Sequence, residues 1–584
     1  MTNYSLEELV DILRSVETCS SGEAGQHNFL VPAAAYCRQL NLMETVDRLV
    51  PSEMTLRPGL LVQLMVLDTL SGRSPLYHLK DFASVIDREL LLGEEVDPCL
   101  FNDTNVGRML DAIARCGTGR ILSALGVEAV RQFYLDPTTV RYDTTSTSVW
   151  GDYEICEMEA GEGPLITHGY SKDHRQDLKQ FMTELLCVDQ GIPVFGSTLD
   201  GNASDKESNH RILNSIASLM KKHGLGDGAF IYIADASMVT NQNLAVLGTT
   251  QFISRLPSVY SACRQVIDEA MEVNQWLHIG SLNEVPSGRK RPPAVYQATE
   301  SSVTIDGTDY RAVVFHSDAL DKRRLNKLER ELSESEQELR EQIRSIPLRY
   351  ACEADAVQAV QHIESLKSLY HKVEVELEKT AVRGRGRPPK NGSAKTVDKF
   401  DLKLTIVPQE DKLTAGRRKA GCFVLLTNVP SDVLDAKELL QSYKGQYAVE
   451  QNFAFLKDPL IVNDLFLKTP SRIDALGMIL IIALMIYRLM QRMMRRFVQE
   501  TGRLLPGWKT SRDSDRPTTY MLTWALRDMR VYNVRGQRIF AKPPDDRQKR
   551  YLEGLGLDEN VYLQPGIKCR PIIPTNQAAK WHGK

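Results

Sequence analysis

Ten cysteines are spread over 584 residues without a single Cys-x2-Cys pair and without a histidine cluster beside them. A disulfide framework and a thiolate zinc site are both disfavoured, and reduced thiols in a cytoplasmic setting are expected. Charge of one sign is also lacking: the formal net charge is −3 and the pI about 6.5. Any nucleic-acid surface must then be local rather than global. The opening Met1-Thr-Asn-Tyr-Ser-Leu-Glu-Glu is polar and acidic, unlike a signal peptide. The most apolar run, Ala475 to Tyr487, is too short to span a bilayer and ends in arginines, so it reads as a buried core helix with no membrane partner. No distinct helix-turn-helix fingerprint stands out. What remains is a chain too long for a single core, for which three or more structural units are expected.

The most informative segment lies late in the chain. Tyr443, Glu450 and Lys457 are spaced by seven, and each such step falls about 20° short of two full helical turns. One helix face then carries a hydroxyl, a carboxylate and an amine, with Gln446 and Tyr447 between the first two and Pro459 closing the segment. Ala448, Val449, Phe453, Phe455 and Leu456 are available for burial on the other side. A carboxylate flanked by phosphate-binding groups asks for partner carboxylates elsewhere.

Two candidates sit on predicted strands. Asp143 lies in the β-branched run from Thr138 to Trp150, and Asp235 ends the apolar run Ala229-Phe-Ile-Tyr-Ile-Ala-Asp235. The latter is typical of a central strand covered on both faces, and open α/β sheets place ligands at the C-terminal ends of such strands. Each residue also has an ordinary use, as a strand-end cap, a loop marker or part of a solvated helix face. The chain order Asp, Asp, Glu with strand, strand and helix contexts is harder to obtain by chance.

The spacing Tyr-x2-Gln-x3-Glu-x6-Lys from Tyr443 to Lys457 resembles the Tyr-x2-Arg-x3-Glu-x6-Lys signature of cut-and-paste insertion-sequence DDE transposases, with Gln446 in place of the arginine. The resemblance implies an RNase H-like α/β core in which Asp143, Asp235 and Glu450 are catalytic and bind two Mg²⁺ ions, with Mn²⁺ as a substitute. Two such ions can neutralise both oxygens of an in-line phosphodiester displacement, and Mg²⁺ prefers oxygen ligands. It further implies DNA contact by Tyr443, Gln446 and Lys457. The expected partners are terminal inverted repeats and target DNA, bound by a homodimer. A structure-selective RNase H-like nuclease and a non-catalytic regulator derived from a transposase are the alternative readings.

The rest of the chain is arranged around that core. Residues 1–136 read as a helical N-terminal domain suited to recognising DNA ends, with helical spacing over Leu56–Leu70, Tyr77–Leu92 and Asn105–Leu122 and a cap at Asp103 or Thr104. The first part of the core is 137–258. It includes the polar stretch His168 to Gln180, whose Lys172, Arg175 and Lys179 are candidates for phosphate contact, strands over 181–188 and 192–199, and Arg255 as a candidate DNA contact. Far more sequence separates Asp235 from Glu450 than one connection needs, so 259–430 reads as a mostly β insertion.

Inside the insertion, Leu325, Leu332, Leu339 and Ile346 followed by Ala356, Val360, Ile363, Tyr370, Val373 and Leu377 predict a helical hairpin over 318–380. Trp276 reads as a core residue. Arg383-Gly-Arg-Gly-Arg-Pro-Pro-Lys390 is similar to an AT-hook, in which Arg385 and Arg387 reach into a narrow A·T-rich minor groove. The second part of the core is 431–500, and 501–584 is a basic C-terminal region. Arg488, Arg492, Arg495, Arg496, Arg503, Lys509 and Arg512, then Arg547, Lys549 and Arg550, are expected to supply the local positive charge.

Overall fold

The computed structural model describes residues 29–573 apart from 73–74, 151–152, 154–162, 174, 223, 225–228, 283–292, 320–321, 384–395, 459–466, 509–511 and 535–536. The chain forms two compact units, Met1–Ser254 with Ser442–Lys584, and Arg255–Gln441. Both the N-terminal helices and the C-terminal region therefore belong to the same unit as the aspartate-bearing strands.

The first unit begins with helices α1 (Leu30–Gln39), α2 (Leu42–Leu49) and α3 (Pro58–Leu70), the last with proline at its first turn. The helix expected over Tyr77–Leu92 is broken into α4 (Leu79–Val85) and α5 (Arg88–Leu92). The break follows from extended Ile86 and from Asp87, whose carboxylate caps α5 by accepting the Leu90 N–H. Likewise the stretch Asn105–Leu122 is two helices, α6 (Asp103–Cys116) and α7 (Thr118–Phe133), parted at Gly117 with φ 92°. The cap is Asn102, one residue earlier than expected, because its side chain accepts the Asn105 N–H.

A mixed sheet follows. Strands β1 (Thr139–Val149), β2 (Lys179–Val188) and β3 (Ile192–Leu199) are antiparallel neighbours, and after α8 (Asp205–Lys222) comes β4 (Ile231–Ala234), parallel to β1. After α9 (Asn241–Leu247), β5 (Gln251–Arg255) pairs parallel to β4, giving the order β3-β2-β1-β4-β5.

The second unit holds α10 (Ser261–Val273) and the strands β6 (Leu277–Ser281), β7 (Val295–Ile305) and β8 (Thr308–Ser317). Next come α11 (Lys322–Ile343), β9 (Arg349–Tyr350), α12 (Glu353–Ser365), β10 (His371–Arg383), β11 (Thr396–Pro408), α13 (Glu410–Ala420) and β12 (Cys422–Thr427). The helical hairpin over 318–380 is not formed. Its second helix stops at Ser365, and Val373 and Leu377 lie on β10, which pairs with β11 from His371↔Pro408 to Arg383↔Thr396. The run Val373-Glu-Val-Glu-Leu377 alternates with period two, and that pattern prevails over the helical spacing. Leu339 of α11 and Ile363 of α12 pack on Val373 and Leu402, so both helices lie on the β hairpin. Trp276 is half-buried, with the Arg418 guanidinium 5.6 Å from its ring centre and His316 against its edge.

Helix α14 (Ala436–Lys444) leads back into the first unit, where α15 (Tyr447–Leu456) and α16 (Pro470–Thr501) follow. Helix α16 is longer than the apolar run suggested. It is the one helix among the described residues long and apolar enough to cross a membrane, and 89% of its apolar window is buried inside the fold. It packs against β3, α1, α3, α6 and α7 as the central core helix, as expected of a helix apolar nearly all round. Finally β13 (Leu505–Pro506), β14 (Asp513–Ser514), α17 (Thr519–Leu526), β15 (Val531–Val534), β16 (Gln537–Phe540) and α18 (Asp546–Gly554) complete the unit.

Most of the basic residues expected to form a surface here are buried or paired, although Arg512 is exposed. Arg488 and Arg492 are buried in α16. Arg492 binds the Asp189 carboxylate at 2.7 Å and donates to the backbone oxygens of Phe133 and Tyr134. Arg495 donates to the Pro517 carbonyl, and Arg503 and Arg550 pair with Glu553 and Asp513. Lys549 lies 3.8 Å from Glu559, and Arg547 lies over Trp524 with its guanidinium carbon 3.6 Å from the ring centre. Lys509 is outside the described residues.

Candidate active site

Register brings Asp143 and Asp235 together. Arg141 on β1 is level with Ile233 on the parallel β4, and two residues beyond each come Asp143 and Asp235. Neighbouring strands lie about 4.8 Å apart, and residues two apart share a face, so the two carboxylates are adjacent on the face of β1 that carries Arg141. Asp235 follows the last residue of β4 and caps a short turn by accepting from the backbone N–H of Ser237 at 3.1 Å and from its hydroxyl. Ser254 on β5 ties down the Asp235 backbone by donating to its carbonyl at 2.8 Å.

The Asp143 side chain retains 28% of its exposure. Burial pushes its carboxyl up to about 7; Lys172 and the Thr144 N–H pull it back, while the negative Asp235 and Asp205 add to the rise. A carboxyl raised by burial and by like charges is a common mark of a functional cleft.

The signature segment is not the single helix its spacing suggested. Tyr443 belongs to α14, Gln446 precedes α15, Glu450 lies in the first turn of α15, and Lys457 terminates it. The chain breaks at Gly445, where it presses on β1: an added Cβ would stand 2.6 Å from an Arg141 guanidinium nitrogen. Tyr443, Glu450 and Lys457 therefore do not share one continuous helical face. Their common location comes from docking on the sheet. Helix α15 packs on β1, and Ala448 meets Gly191 in the β2–β3 turn, where a side chain would come within 2.8 Å of the Ala448 methyl. Asn452 donates to the Gly191 carbonyl at 2.8 Å and accepts from the buried Arg488 at 2.6 Å, locking α15 between turn and core helix.

The helix carrying Glu450 thus covers the side of β1 shared by Arg141 and Asp143, and Glu450 itself is exposed. Among the described residues no group of three or more His, Cys, Asp or Glu already stands ready to hold a metal ion. Asp143 and Asp235 stand as a pair, and Glu450 lies on the helix that packs against β1.

Lys172 enters the site from the loop between β1 and β2. Its ammonium donates to the Thr144 carbonyl at 2.6 Å and the Thr144 hydroxyl at 3.1 Å, and stands 3.5 Å from Asp205 and 3.9 Å from Asp143. Asp205 begins α8 and accepts from the Thr144 hydroxyl. The next residue, Asp173, takes Lys457: both carboxylate oxygens are 2.7 Å from its ammonium.

The other predicted DNA contacts fall outside this cluster. Arg175 pairs with Asp177 and lies 5.0 Å from the Trp150 ring centre, Lys179 reaches the Tyr153 carbonyl, and Arg255 lies over Phe423. Arg385 and Arg387 lie outside the described residues. Asp205, Asp173 and Asn452 were not legible as site residues, because no spacing links them to the strands or helix they serve.

Fold and site together define a mixed α/β protein with a helical N-terminal region, an inserted second unit and a pair of strand-borne carboxylates under a docked helix. Residues 26–127, which span α1 to α6 and most of α7, match a family model described as a domain of unknown function (DUF4277). No curated protein matches the chain.

Proposed function

We propose that this protein is a DDE transposase of an insertion sequence, with an RNase H-like core that cleaves DNA at element ends and joins the ends to target DNA. The observation that carries this reading is the adjacency of Asp143 on β1 and Asp235 at the end of the parallel β4, with Glu450 on the helix that packs against β1. The N-terminal match adds support, since that domain is typical of transposase-like proteins.

Asp143, Asp235 and Glu450 offer only oxygen donors, the chemistry Mg²⁺ or Mn²⁺ selects, and would hold two ions. When bound, the ions supply Lewis-acid stabilisation of the attacking and leaving oxygens. The chain's own residues do the rest. Asp143 and Asp235 fix the site at the C-terminal side of β4, Glu450 closes it from α15, and Tyr443, Gln446 and Lys457 hold the strand entering it. Replacement of the signature arginine by Gln446 exchanges a charge-assisted contact for a neutral one.

A strand-transfer assay on duplexes drawn from the DNA flanking the gene tests the reading. In Mg²⁺, cleaved ends joined to a target plasmid are expected. Cleavage without joining would favour the structure-selective nuclease, and binding without cleavage the regulator.

The AT-hook-like segment connects β10 to β11, whose thirteen-residue strands form a hairpin about 40 Å long. Tethering at the end of such an arm raises its local concentration near bound DNA. Replacing Arg385 and Arg387 together with alanine is expected to weaken binding to A·T-rich duplexes more than to G·C-rich ones in a gel-shift titration. Equal loss on both would reduce the segment to a basic linker.

A further inference from the structure

Two consecutive residues of the β1–β2 loop occupy the site with opposite charges. The Lys172 ammonium sits among oxygens, at the Thr144 carbonyl and hydroxyl and near Asp205 and Asp143, where a metal ion's charge would be satisfied. The Asp173 carboxylate holds Lys457 through both oxygens, as a phosphate would. The loop is clamped in this register. The Lys172 N–H donates to the Ser146 hydroxyl on β1, and the buried Ser171 hydroxyl accepts the N–H groups of Asp173 and Arg175. Surface ion pairs form freely, but two adjacent residues reaching opposite charges on β1 and on α15 require this loop conformation.

Resting on the transposase reading, we propose that Lys172 and Asp173 are resident stand-ins for the metal cation and the DNA phosphate, which hold their places until both ligands arrive together. The physical reason lies in self-repulsion. Asp143, Asp235 and Asp205 crowd negative charge at one end of the cleft, and Lys457 leaves a cation on the adjoining helix. Within one loop, Lys172 offsets part of the first and Asp173 matches the second. Displacing either frees its neighbour through the shared backbone, so metal and DNA binding should favour each other.

The test is a gel-shift titration in EDTA with a duplex from the DNA flanking the gene, using the full chain. Asp173→Asn is expected to bind roughly threefold to tenfold more tightly than the parent, because Lys457 no longer has to leave a carboxylate. Asp173→Ser should behave alike. The gain should vanish in the background of Lys457→Ala, which makes the coupling specific to this pair. Weaker or unchanged binding by Asp173→Asn would mean that Asp173 only positions Lys457, and the proposal fails. In a second arm, Lys172→Met should lower the Mn²⁺ concentration giving half-maximal thermal stabilisation severalfold. An unchanged or raised Mn²⁺ requirement overturns the cation half. If the parent protein neither binds the duplex nor responds to Mn²⁺, the transposase reading itself fails, an outcome distinct from a parent that does both while the variants match it.

Discussion

Asp143→Asn is expected to abolish Mg²⁺-dependent cleavage, by roughly a thousandfold or more, while making the metal-free protein more stable at pH 8. The two effects share one cause. The fold raises the Asp143 carboxyl from the ordinary carboxylate range to about 7, first through burial and then through Asp235 and Asp205. A raised carboxyl favours the protonated folded state, so its contribution to stability is full below about pH 4 and is lost as pH rises through about 7. Asparagine keeps the shape without the ionisation. Its advantage should be of the order of 2 kcal/mol at pH 8, less than the full shift implies because the carboxylate keeps some contact with solvent and Lys172. The advantage should close as pH falls toward 4. Thermal unfolding in EDTA at both pH values reads it directly, and a parent more stable than the variant at pH 8 would refute the electrostatic account. Added Mg²⁺ should stabilise the parent and not the variant.

The second large effect is expected far from the carboxylates. Arg492→Met should destabilise the first unit by about 3–5 kcal/mol, the cost of stripping one partner from a buried ion pair. The guanidinium is 4% exposed, and it answers Asp189 together with the carbonyls of Phe133 and Tyr134. Burial alone would raise the Asp189 carboxyl, but Arg492, with the N–H groups of Asp136 and Gln190, holds it below the usual range. Its stabilising contribution is therefore present above the unfolded pKa and lost as pH falls through the lower folded value. The deficit of the variant should be largest near neutral pH and narrow in acid. Urea denaturation at pH 7 and pH 3 measures it. A loss under 1 kcal/mol at pH 7 would mean that water replaces the guanidinium without cost. Because Asp189 opens the β2–β3 turn on which α15 rests, the variant should also loosen the seat of Glu450.

Both expectations rest on different depths of reading. The strands of Asp143 and Asp235 were legible because β-branched and apolar runs declare themselves locally, and β3 runs over 192–199 as the pattern required. The signature spacing implied a geometry for Tyr443, Glu450 and Lys457 that the fold does not have. Seven-residue steps imply one helix face, whereas the chain breaks at Gly445 where backbone and Arg141 meet. The helix expected from Ala356 to Leu377 failed for a related cause: Val373, Val375 and Leu377 satisfy a strand period equally well, and pairing with β11 decides between them.

The charges divide in the same manner. Arginines on α16 read as a basic surface because composition carries no depth, and only the packing of that helix inside the first unit turns Arg488 and Arg492 into internal ties. The amino-acid order by itself determined that the segments around Asp143 and before Asp235 become strands and where the carboxylates sit along them, since these depend on neighbours within a few positions. The tertiary structure decided that Asp143 stands beside Asp235, that Asn452 and Arg488 seat α15, that Lys172 stands near Asp143 and that Asp173 holds Lys457. Those are encounters between residues tens to hundreds of positions apart, and sheet register and burial, which no local pattern encodes, bring them about.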